Sequence, residues 1–157
     1  MVDQICMDKI LLDSAKEVFE TMIFMGISEA SDQTDTIKGD TFLGNITFKG
    51  EMEGCLGITL AENCAKAVAA NMLCLEPDEE ISDADLADAI GEVANMVMGS
   101  VKTRIQDTVS NIELSIPTVI CGRILKSNMG DGFNKTVIQV KVDDYDAELS
   151  FSFRSGS

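Results

Sequence analysis

The sequence predicts an α/β protein of the α+β kind, in which helices cover one side of a mixed sheet. Three observations predict it. Ser82 to Asp107 carries apolar residues at helical spacing throughout. Several other segments alternate with a period of two, as Leu56, Ile58 and Leu60 do against Cys55, Gly57 and Thr59. The order of these patterns does not alternate as βαβ units would. With 157 residues, 45% of them apolar, the chain is long enough to bury a core, and residues 1–157 read as one domain.

Taken in order, Ile5 to Met25 forms the first helix, its stripe made by Ile5, Leu12, Ala15, Phe19, Met22 and Ile23, with Gly26 as the stop. Ser28 to Asp40 is polar and turn-rich, hence a loop. Two strands follow, Thr41 to Phe48 and Glu51 to Leu60, joined by a tight Lys49-Gly50 turn. Ala61 to Leu75 is a short, alanine-rich, mostly buried helix closed by Glu76-Pro77-Asp78. After the long helix, Ser115 to Leu125 is a strand that Pro117 begins or edges, since proline cannot donate to a central ladder. Ser127 to Asn134 reads as a hairpin turn before the last strands, Lys135 to Val142 and Ala147 to Phe153.

The long helix starts at Ser82, whose pairing with Asp85 resembles a capping box; Asp83 and Asp85 complement the helix dipole. At about 100° per residue, Leu86, Ile90, Val93, Val97 and Val101 form one stripe, and Asp85, Asp88, Glu92, Asn95, Gly99 and Lys102 the opposite one. Gly91 and Gly99 each cost roughly 1 kcal/mol against alanine in a helix interior, which points to something approaching closely there. A weak internal repeat accompanies this helix. Asp13, Glu17 and Glu20 repeat the spacing of Asp88, Glu92 and Asn95, and Leu56, Ile58, Leu60 repeat as Leu149, Phe151, Phe153. Two helix-plus-hairpin units would account for both.

Twelve Lys and Arg against 27 Asp and Glu leave a net charge of −15, which excludes a nucleic-acid backbone or an anionic membrane as partner. No leader pattern or long apolar run is present, so a cytoplasmic protein is expected. Five scattered cysteines in apolar contexts, none in a C-x-x-C, read as buried free thiols in a reducing compartment. Histidine is absent, which removes Ser-His-Asp and Cys-His catalysis and the H-E-x-x-H zinc motif.

The chemistry therefore rests on the polar stripe. Charged helix faces are usually there for solubility, so a merely solvated face stays open. Two carboxylates and an amide on one straight helix converge poorly on a metal ion, and no intrinsic metal site is expected. A glycosidase pair fails likewise, because its carboxyls must flank the substrate. An amide that both donates and accepts can instead orient a water attacking a phosphoryl group. Asn95 would do this inside a partner's active site, Glu92 would anchor the helix to a cation there, and Gly99 would let the partner approach. Met96, at the edge of the stripe, and Lys102, within it, are further candidate contacts. Pro117 acts chiefly by fixing the strand beside the helix.

DAIGEVANMVMGSVKT followed by SIPTVICGR resembles the CheC/CheX/FliY family of bacterial chemotaxis phosphatases, with Asp88, Glu92, Asn95 and Pro117 matching the signature in order and approximate spacing. The resemblance extends to Val18–Gly26, Glu53–Leu60 and the C-terminal strand, and length and the single motif are most similar to the CheX branch. It implies a CheC-like fold, a mixed or antiparallel sheet of about six strands with three helices on it. It implies an aspartyl-phosphate phosphatase whose substrate is a phosphorylated CheY-type response regulator, with Asn95 orienting the water, Glu92 pairing with a regulator lysine and Asp88 in support. The Mg²⁺ is the regulator's, and no cofactor of the chain's own is implied. A homodimer through sheet edges is implied too. Glu17-x-x-Glu20 does not match E-x-x-N, so a second site on the first helix is not expected. A non-catalytic module that binds a regulator, as in flagellar-switch relatives, is the alternative.

Overall fold

The computed structural model describes residues 6–33, 37–76, 79–123 and 129–156. Its elements are α1 (Met7–Val18), a π-helical turn (Phe19–Ile23), β1 (Ile27–Glu29), β2 (Asp40–Gly50), β3 (Met52–Ala61), α2 (Glu62–Met72), α3 (Asp83–Ile105), β4 (Ile112–Leu114), β5 (Thr118–Arg123), β6 (Asn134–Val142) and β7 (Tyr145–Ser155). The strands form one antiparallel sheet in the order β1-β6-β7-β3-β2-β4, with β5 also on β2. The fold class is as expected, with seven strands in place of about six.

The two long hairpins meet at the centre, where β3 pairs with β7 and Leu56 and Ile58 lie opposite Phe151 and Leu149. The matching strands of the two predicted units are thus direct neighbours. Leu56, Ile58, Leu149 and Phe151 are fully buried, and Phe48 stacks on Phe151 with ring centroids 5.2 Å apart. α3 lies over β2 at Gly44, where a Cβ would come within 3.1 Å of the Ile90 carbonyl oxygen. This glycine is what lets the long helix approach the sheet.

Several boundaries differ from expectation for identifiable reasons. The first helix widens into a π-turn at Phe19, and Phe24 in the left-handed region (φ 62°), not Gly26, ends it; Met22, placed in the apolar stripe, is exposed. A wider turn rotates later residues off the stripe. Its start at Ile5 lies outside the described residues. Ser28 and Glu29, read as part of a loop, belong with Ile27 to β1, which pairs with β6, and Gln33 bonds the backbone of Gln139 beside it. The β2–β3 turn centres on Glu51, one residue later than expected, and α2 is buried along one side only, through Cys64, Ala65, Val68 and Ala69. The strand expected from Ser115 begins only at Thr118, as β5, and a short strand that was not expected, β4, precedes it. From Leu114 to Thr118 the chain advances four residues while β2 advances three, from Phe48 to Asn45, which makes a bulge. Ser115 ties it down by donating its N–H to the Thr47 carbonyl, while its Oγ accepts from the Thr47 N–H. Pro117 sits before β5, as its missing N–H requires. Ser127 to Asn134 is not a hairpin turn, because β5 pairs with β2 and β6 with β7; residues 124–128 lie outside the described set, as do Pro77 and Asp78. None of the five cysteines is in a disulfide, and only Cys55 and Cys64 are buried; Cys6, Cys74 and Cys121 are exposed. No helix among the described residues is long and apolar enough to cross a membrane.

Candidate functional site on α3

α3 starts where the sequence places it, with the Ser82 Oγ accepting from the Asp85 N–H at 3.1 Å. Leu86, Ile90, Val93, Val97 and Val101 are all buried against the sheet and the other helices. That burial fixes the helix's rotation and turns the opposite stripe outward. Asp88, Glu92 and Asn95 are exposed on it, and Met96, Gly99 and Lys102 half-exposed.

Both flanks of the stripe are pinned. On one side Pro117 and Val119 come up to Gly91, where a Cβ would lie 3.6 Å from Val119 Cγ2 and 3.7 Å from Pro117 Cγ. Pro117 therefore braces the turn that carries Asp88, Glu92 and Asn95. On the other side Arg104 donates to Glu17 Oε2 at 3.0 Å and to the Ser100 hydroxyl, while Ser100 donates to Glu17 Oε1 at 3.3 Å. This joint between α1 and α3 was not visible in the sequence, since nothing local relates Glu17 to a residue 87 positions away.

The two glycines of the helix have different reasons. At Gly91 the close neighbour is the chain's own Pro117, whereas around Gly99 nothing lies within 4 Å of where a Cβ would be. The space beside Gly99 is open to a partner.

Glu92, Asn95, Asp88 and Lys102 have no hydrogen-bond or ion-pair partner among the described residues. Asp13 and Glu17, two of the three acids at the repeated positions, are engaged instead. Glu17 holds Arg104, and Asp13 pairs with Lys9 at 2.9 Å, a bond that lowers its carboxyl below the ordinary value. Glu20 falls on the π-turn, where the helical spacing that would align it is broken. The two polar edges thus share a spacing and differ in use. No group of three or more His, Cys, Asp or Glu among the described residues could hold a metal ion.

A family model described as chemotaxis phosphatase CheX matches residues 42–141, from β2 to β6. No match was found among curated protein sequences. Among solved structures, CheX from Vibrio vulnificus superposes with a TM-score of 0.78 at 22% identity, covering 93% of this chain and 95% of that one. A CheC-like superfamily protein from Shewanella sp. PV-4 reaches 0.74 at 27% identity, covering 94% and 96%. The CheX of a CheX–CheY–BeF3–Mg²⁺ complex from Borrelia burgdorferi reaches 0.73 at 21% identity, covering 94% and 97%. These similarities extend over nearly the full length of each chain, and the family model spans well over half of this one: the protein belongs to the chemotaxis phosphatase CheX family.

Proposed function

We propose that this protein hydrolyses the phosphoaspartate of a CheY-type response regulator, acting in the cytoplasm as one domain over residues 1–157. α3 enters the regulator's active site. The Asn95 amide accepts a hydrogen bond from a water and donates one in the site, aiming the water's oxygen at phosphorus. As that O–P bond forms, the P–O bond to the regulator's aspartate breaks; the aspartate leaves as carboxylate and both of the water's protons depart with inorganic phosphate, as dihydrogen phosphate. Mg²⁺ comes with the regulator as part of the substrate. Glu92, one turn earlier, pairs with a regulator lysine, Asp88 supports that turn, and Pro117 braces it. Met96, Gly99 and Lys102 border the contact.

The observation that carries this reading is the contrast between the two helices. Glu92 and Asn95 are exposed and unpartnered among the described residues on a helix clamped along both flanks, while Asp13 and Glu17, the acids that match Asp88 and Glu92, are held in ion pairs. The Borrelia burgdorferi structure, a CheX with CheY, supports the class of partner. β5, hydrogen-bonded only to β2 among the described residues and exposing Ile120, is the sheet edge through which we expect a second copy to pair.

The test is single-turnover decay of a phosphorylated CheY-type regulator at saturating protein. Wild type accelerates decay, Asn95→Ala lowers the rate on the order of 100-fold while still binding, and Glu92→Ala costs about 1–3 kcal/mol of affinity. Complexes that form on the cell's regulators without any acceleration by wild type would overturn hydrolysis in favour of a binding module.

A further inference from the structure

A second surface lies at the N-terminal end of α3, apart from the stripe. A cleft of about 780 Å³ opens between α2, the α2–α3 connection and the β6–β7 turn. Its apolar lining comes from Met25, Phe42, Leu75, Ile81 and Leu86. Its polar lining includes five carboxylates, Glu62, Glu79, Glu80, Asp83 and Asp143, against one ammonium, Lys66, which pairs with Glu62 at 3.0 Å.

Three exposed apolar residues lie within three positions in the chain of residues that line this cleft. Phe24 is 80% exposed, Met22 60% and Leu73 44%. Phe24 stands in the chain between Met25, a lining residue, and Ile23, whose carbonyl accepts from Asn71 of the cleft wall at 3.1 Å. Leu73 precedes Leu75 of the lining by two residues. Of the three non-glycine residues with positive φ among those described, Asp143 (50°) lines this cleft, and Phe24 (62°) and Cys74 (56°) each precede a lining residue, Met25 and Leu75. Each has a local role, since Phe24 ends the π-turn, Cys74 follows α2 and Asp143 lies in the β6–β7 turn. A phenylalanine in that conformation and exposed to water contributes little to folding.

We infer that this cleft docks a basic amphipathic segment of another protein, its apolar side chains on Phe24, Leu73 and the cleft floor and its Lys or Arg side chains on the carboxylates. Charge complementarity selects that occupant. A small organic cation would leave Met22 and Phe24 uncovered, and a second copy would bring a chain of net charge −15 against an acidic rim. Asp83 and Leu86 belong to the first turn of α3, whereas Asn95 follows Leu86 by nine residues, roughly 13 Å along the axis.

The test is fluorescence anisotropy with a labelled synthetic amphipathic helix of leucine and lysine, beside a peptide of the same composition in scrambled order and free spermidine as competitor. The amphipathic peptide binds saturably, at least tenfold more tightly than the scrambled one, and spermidine at equal concentration does not displace it. Phe24→Gly weakens binding at least tenfold without lowering the unfolding midpoint, since glycine suits the left-handed position. Glu79→Gln with Glu80→Gln weakens it as well, and Asn95→Ala leaves it unchanged. Equal binding of both peptides, full displacement by spermidine, no binding, or indifference to Phe24→Gly would each overturn the inference; loss through Asn95→Ala would return the contact to the phosphatase stripe.

Discussion

Residue by residue, the same chemical group does different work according to its neighbours. Glu17 and Glu92 occupy matching places in two similar helical patterns, yet Glu17 is held by Arg104 and Ser100 while Glu92 has no partner among the described residues. Cysteines divide in the same way. Burial, with Asp143 and Asp146 adding negative charge, pushes the Cys64 thiol up to about 12. The unfolded chain loses this proton near pH 9 and the folded one keeps it, so the contribution is intact below that pH and falls as pH rises between about 9 and 12. Cys64→Ala is expected to flatten the alkaline decline in stability, by at most about 1.4 kcal/mol per pH unit in that window, as denaturant titrations at successive pH values would read. At pH 8, a thiol reagent is expected to label Cys6, Cys74 and Cys121 quickly and to reach Cys55 and Cys64 only on unfolding.

Among the elements, α3 and its glycines give the sharpest comparison. A Cβ at Gly91 meets Val119 and Pro117 at ordinary contact distance, whereas one at Gly44 meets the Ile90 backbone oxygen at 3.1 Å. Gly91→Ala therefore gains helix propensity and is expected to stabilise the protein by up to about 1 kcal/mol. Gly44→Ala pushes the helix off the sheet and costs on the order of 1–3 kcal/mol. Chemical denaturation of the two variants checks both signs, and a destabilised Gly91→Ala would mean that Pro117 cannot yield at all. The amphipathic period made α3 legible in the sequence with its cap, buried stripe and polar edge, because each depends on local spacing. The short strand β4, the strand Ile27–Glu29 and the crossover after β5 were not legible. Each is decided by which distant strand offers a hydrogen-bonding edge.

The whole molecule combines a continuous apolar core with a net charge of −15. Self-repulsion of that size opposes compactness, and salt screens it. Raising ionic strength from about 0.01 M to 0.15 M is expected to raise stability by about 1 kcal/mol, or about 2–4 °C in the thermal midpoint. A midpoint that falls with added salt would show that the seven ion pairs seen among the described residues outweigh the repulsion. The same field favours partners that present cations, at the Glu92 end of the stripe and at the acidic cleft alike.

The sequence by itself determined the class of fold, the face α3 buries and the Glu92-x-x-Asn95 edge, because helical period, strand alternation and capping are set by residues a few positions apart. It also set the residues by which the chain resembles its family. Only the tertiary structure decided that Pro117 braces Gly91, that Glu17 is spent on Arg104 while Glu92 is not, and that Met25, Leu75 and Asp143 line one cleft. Those relations join residues far apart in the chain, and no local pattern encodes which of them packing will bring together.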